Sequence, residues 1–126
     1  MSKGLVIKRY QTLEEILLDK NLAGLGDAYV NFLYSLVASQ KSGHPTSVKV
    51  NNKILAEAVK KADMRKLLPH RIDRHDLGNA AEAIIVFAWL ADTVTLEDSV
   101  KILSAKNDVV EAFAALLREI LARLDK

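Results

Sequence analysis

The stretch from Leu22 to Gln40, LAGLGDAYVNFLYSLVASQ, reads as one long helix carrying a single acidic residue, Asp27, in an otherwise apolar first half. Leu22, Leu25, Tyr29, Phe32, Leu33 and Leu36 recur at three- and four-residue steps, the spacing that aligns side chains along one helical face. Asp27 lies beside that face. A carboxylate next to a packed surface loses hydration and calls for a helix N-terminus, a basic partner or a metal ion. Gly24 and Gly26 flank it, so this end of the helix can approach another backbone closely.

Outward from this helix, the 126 residues, half of them apolar, suit one domain spanning 1–126 with a sizeable core. No apolar run reaches the roughly 20 residues that span a bilayer, and no basic segment with a hydrophobic signal core opens the chain. The expectation is a cytoplasmic protein without a membrane partner. The sequence has no cysteine, which excludes disulfides and thiolate metal sites and leaves carboxylates, histidines and neutral oxygens as ligands. The net charge is +2, yet residues 41–75 hold nine Lys or Arg against three acids, a local +6 that leaves −4 elsewhere. All three histidines, His44, His70 and His75, fall in the same segment. Such a concentration suits a polyanionic partner, or else a solvated set of helix faces and loops.

The remaining chain reads as helices joined by short turns. Leu5, Val6 and Ile7 suggest a small strand or a packed arm. Thr12-Leu-Glu-Glu15 matches a capping box for a first helix running to about Lys20, and the Asp27 helix should end before Ser42-Gly43-His44-Pro45. Asn51 or Asn52 caps a helix holding Ile54, Leu55, Ala58 and Val59, with Lys53, Lys60 and Lys61 on its exposed side. One further turn is expected from Asp63 to Leu68, stopped by Pro69. Asp73 caps a long helix in which Leu77, Ala81, Ile84, Ala88 and Trp89 are core positions. On that helix Asp76, Asn79 and Glu82 follow at three-residue steps and share a face. Thr95, with Glu97 and Asp98 behind it, starts the next helix. A last helix from about Asn107 to Leu124 carries the apolar stripe Val109, Phe113, Leu116, Leu117, Ile120 and Leu124.

Two helices, one offering Asp27 and the other Asn79 and Glu82, can place oxygen ligands face to face across a bundle. Magnesium favours such hard ligands and keeps several waters, so few protein groups suffice. The alternative is that Asp27 and Glu82 pair with Arg71 or Arg74. Leu25-Gly26-Asp27-Ala28, followed about fifty residues later by Gly78-Asn79-Ala80-Ala81-Glu82-Ala83-Ile84, resembles the two signature stretches of the ribonuclease III endonuclease domain. In that family the first motif is close to LEFLGDAVL and the second to GDxxEAxIGAIYL. Here they stand as LAGLGDAYV and GNAAEAIIVFAWL, and the resemblance covers roughly residues 12–92. Asp27 matches the aspartate of the first motif and Glu82 the glutamate of the second. Ala23 and Asn79 replace the other two acids. The chain also looks like the shorter mini ribonuclease III group, which lacks a separate double-stranded-RNA-binding domain and carries the same kinds of neutral replacement.

The resemblance implies an all-α, compact helical bundle, a symmetric homodimer, and magnesium-dependent hydrolysis of double-stranded or structured RNA, with manganese as an alternative ion. Asp27 and Glu82 would be the catalytic pair and, with a neutral oxygen from Asn79, the metal site. Lys41, Lys49, Lys53, Lys60, Lys61, Arg71 and Arg74 would track phosphates, and His75, at the start of the Glu82 helix, would contact one. Duplex RNA is read largely by shape, so these residues need not recognise bases. Two other readings compete: a catalytically silent RNA-binding or scaffold protein of the same fold, and a helical interaction domain in which the acids form structural ion pairs.

Overall fold

Each helix begins on a short side chain whose oxygen accepts an otherwise orphaned backbone N–H. Thr12, Asp19, Asn51, Asp73, Thr95 and Asp108 accept from Glu15, Leu22, Ile54, Asp76, Asp98 and Glu111 respectively. The computed structural model of the chain describes residues 9–125. Among them the helices are α1 (Leu13–Leu17), α2 (Lys20–Ser42), α3 (Asn52–Lys61), α4 (Arg74–Leu90), α5 (Leu96–Ser104) and α6 (Val109–Leu124), with no strand, so the fold is all-α. The patch Leu5–Ile7 lies outside the described residues.

The α1–α2 boundary differs from the sequence reading because Asp19 acts as a cap earlier than expected. The α1–α2 junction falls at Leu18–Asp19: the Asp19 carboxylate accepts from Leu22 N–H at 2.9 Å and from the Tyr10 hydroxyl at 2.8 Å, so α2 starts at Lys20. In the capping box, Glu15 reaches Gln11 N–H at 2.9 Å, one residue before the cap. Asp63 does not start a turn. It takes a left-handed conformation (φ 61°), and a 3-10 turn follows at Arg65–Leu67. Gly43, also left-handed at φ 82°, ends α2 by donating to Ser39 C=O at 2.9 Å.

The centre of the bundle is α4. Small and branched side chains from Leu77 to Leu90 bury α4 on most sides, and α1, α2, α3 and α6 pack around it. Helix α5 packs on α2 and α6. On α2 the buried face runs through Leu22, Ala23, Gly26, Tyr29, Val30, Leu33 and Val37. Leu25 and Phe32, expected on that face, remain 45% and 55% exposed. Trp89 stacks on Tyr29, with ring centroids 5.1 Å apart, and so serves the packing of α4 on α2. No helix among the described residues is long and apolar enough to cross a membrane.

After Gly43 the chain runs back along α2 as an extended segment held by one polar row. Ser39 Oγ accepts from Thr46 N–H at 2.9 Å, Ser35 Oγ from Val48 N–H at 3.0 Å, and Asn31 Oδ1 from Val50 N–H at 2.7 Å. Each rung is four residues along the helix and two along the segment. The rises match, about 6 Å in helix and about 6.6 Å in extended chain. Asp27 occupies the next position of that row.

Candidate active site

Helices α2 and α4 cross in backbone contact at Gly26. A Cβ placed there would fall 2.1 Å from the carbonyl oxygen of Glu82, a distance no side-chain atom tolerates. Glycine is therefore required, and the residue after it, Asp27, is delivered to the side chain of Glu82. Gly24 meets nothing within 4 Å, so only one of the two flanking glycines serves the crossing.

The pair is asymmetric. Asp27 is exposed, whereas Glu82 is only 6% exposed. Burial, followed by hydrogen bonding to Asp27 and its negative charge, pushes the Glu82 carboxyl up to about 8. Neither acid forms an ion pair with a described Lys or Arg, so the pairing with Arg71 or Arg74 is not realised. Two carboxyls without a basic partner, one of them desolvated, suit a hard divalent cation that retains much of its own water. The donor set therefore fits magnesium.

The pair lies in a groove of about 420 Å³ that Asn79 and Asn52 also line. Three amides occupy fixed orientations around it. Asn31 accepts from Val50 N–H, which turns its NH2 towards Asp27 Oδ1 at 3.5 Å. Asn52 donates to His75 C=O at 3.2 Å and to Asn79 Oδ1 at 3.5 Å. The oxygen of Asn79, expected to face a metal, thus already accepts from a neighbouring helix.

The basic residues singled out in the sequence do not gather at this groove. His75 lines it, and Lys53 and Arg74 are exposed near the starts of α3 and α4. Lys49 lines a hollow beside Asn31, one helical turn away. Lys41 lies 14 residues after Asp27, about 21 Å along the helix, and donates to Lys106 C=O. Lys60 pairs with Glu57, Lys61 pairs with Glu111 at 2.6 Å, and Arg71 is exposed.

Three groove residues were missed. Lys20 lies seven before Asp27, on the same helical face, and becomes visible once the helix is started at Asp19. Asp76, on the face of Asn79 and Glu82, also lines the groove. It adds no third ligand: no three Asp, Glu, His or Cys among the described residues converge to hold a metal. Asn52 had only a capping role in sequence, and nothing local foretells its reach to α4.

An all-helical domain that crosses two helices through a glycine to join two acids is the arrangement the paired motifs anticipate. The family model described as Ribonuclease III matches residues 20–126, extending through α5 and α6 beyond the motifs. The chain belongs to the ribonuclease III family. No curated protein matches it significantly.

Proposed function

We propose that the protein is a magnesium-dependent endoribonuclease that hydrolyses phosphodiester bonds in double-stranded or structured RNA, works as a homodimer, and acts in the cytoplasm. The observation that carries this reading is the Gly26–Glu82 contact, which seats Asp27 against a buried glutamate with no cationic partner among the described residues. Asp27 and Glu82 would hold the ion, with manganese as its substitute. When bound, the cation supplies activation of water and neutralisation of phosphate charge. Glu82 would hold the ion as a carboxylate, Asp27 keeps the solvent-facing side, and Asn31 orients Asp27. Lys20 and His75 flank the groove and attract the RNA backbone. Leu25 and Phe32, exposed on α2 well round the helix from Asp27, supply apolar surface for a second copy.

The test is cleavage of duplex RNA across a magnesium series. Asp27→Asn and Glu82→Gln each remove one charge at nearly constant shape. Each should lower cleavage by about 10²-fold or more, the scale of losing one charge-stabilising group, while RNA binding survives. Unchanged cleavage in both variants rejects the site. The second reading, a silent RNA-binding scaffold, draws on the neutral Ala23 and Asn79 at two of the family's acidic positions. Wild-type protein that binds RNA in a salt-sensitive manner but never cuts it would favour that reading.

A further inference from the structure

We propose that Asn79 meets RNA as a hydrogen-bond donor, presenting its NH2 group to an acceptor oxygen of the RNA backbone, and that Asn52 is the positioning residue that sets this orientation. The inference rests on the nuclease reading above and departs from the expectation that Asn79 offers its oxygen to the ion.

The orientation originates at a backbone carbonyl. His75 C=O can only accept, so the Asn52 amide must turn its nitrogen towards it, 3.2 Å away. Gly78 makes room for that amide: a Cβ at this position would fall 2.3 Å from the same nitrogen. Asn52 Nδ2 has a second N–H, and Asn79 Oδ1 lies 3.5 Å from it. If the Asn79 amide were reversed, two NH2 groups would face each other with no acceptor between them. The Asn79 oxygen therefore turns to Asn52. Its NH2 is left on the groove side, where no described residue accepts from it.

This placement suits the charge of the groove. Asp27, Asp76 and Glu82 line it against Lys20 and His75. Another carboxylate at position 79 would repel a phosphate approaching the pair. A neutral donor instead attracts one, because hydrogen bonds to charged acceptors are among the stronger ones. The acceptor is a phosphate oxygen or a 2′-hydroxyl.

The experiment measures affinity for a duplex RNA in EDTA, and separately the Mn2+ affinity of the free protein by paramagnetic resonance. Asn79→Ala should weaken RNA binding about tenfold, the effect of losing one hydrogen bond to a charged group, and leave Mn2+ affinity unchanged. Asn79→Asp, which keeps the shape but has no donor, should weaken RNA binding at least as much. Asn52→Asp offers Asn79 only an acceptor, turns its NH2 away from the groove, and should reproduce the loss. In the double variant Asn52→Asp, Asn79→Ala, the two losses should not add, which a merely structural role for Asn52 would not produce. On a 2′-deoxy-substituted duplex, a penalty that persists identifies phosphate and one that disappears identifies the 2′-hydroxyl; either supports the assignment. Wild-type binding matched by both Asn79 variants overturns the proposal alone, as does a fall in Mn2+ affinity in Asn79→Ala. Wild-type protein that binds no RNA overturns it together with the nuclease reading.

Discussion

Glu82 places a pH dependence at the heart of the metal-free protein. Its carboxyl is held at about 8 in the fold against an ordinary value of 4.5, so between those limits the native state keeps a proton that the unfolded chain has released. Stability therefore falls as pH rises through that window and stays low above it. Glu82→Gln removes the titration. Relative to wild type in EDTA, it should be nearly neutral at pH 5 and stabilising at pH 9 by on the order of 2 kcal/mol or more, since each pKa unit is worth about 1.4 kcal/mol. Thermal melts at the two pH values check this, and an offset independent of pH would assign the proton elsewhere. Magnesium should narrow the gap by stabilising the ionised wild-type site. The glycines give a second contrast. Gly26→Ala drives a Cβ into the Glu82 carbonyl and should cost about 3 kcal/mol or prevent folding. Gly24→Ala meets nothing and should stabilise by up to about 1 kcal/mol through helix propensity. Denaturant midpoints with equal slopes would measure both.

At the level of elements, α2 does more than bury one face. Its polar row Asn31, Ser35 and Ser39 takes the place of a neighbouring strand for the extended segment Thr46–Val50, satisfying alternate backbone N–H groups. The row ends at Asp27, so the segment's docking and the carboxylate's orientation share Asn31. Asn31→Ala should cost about 1–2 kcal/mol by leaving Val50 N–H without its acceptor. It should also speed hydrogen exchange at the Val50 amide, whereas Ser47→Ala, at an exposed intervening position, should change neither. Equal protection of Val50 in wild type and Asn31→Ala would show that the row does not hold the segment.

For the whole molecule, Leu25 and Phe32 form an apolar patch on α2, about 140–160° round the helix from Asp27 at about 100° per residue, that no described helix covers. In a homodimer the partner subunit would cover this surface, and its loss would separate assembly from folding. Leu25→Glu with Phe32→Glu should yield a folded monomer by light scattering, with unchanged helix content. A wild-type mass equal to one chain in dilute solution would remove the dimer from the proposal. The Lys41 and Lys61 regions lie far along α2 and α3 from the groove, so charge changes there should alter RNA affinity and its salt dependence more than turnover.

The helices, the caps Thr12, Asn51, Asp73 and Thr95 and the two motif positions are legible in the amino-acid sequence, because capping and 3.6-residue periodicity act within a few residues of where they are read. The Asp19 cap is not, because those signals do not decide between neighbouring candidate caps. Asp73, Thr95 and Asn51 start helices as their side chains require. The nearness of Asp27 to Glu82 followed only from a resemblance, and its physical cause, a glycine pressed on a carbonyl 56 positions away, belongs to the tertiary structure. So do the burial that raises Glu82, the exposure of Leu25 and Phe32, and the central place of α4. Each depends on which faces of separate helices meet, and periodicity on a single helix marks two apolar sides alike without saying which one the bundle covers. The amide chain from His75 through Asn52 to Asn79 has no local pattern at all, since it joins groups 23 and 27 residues apart only after α3 has packed on α4.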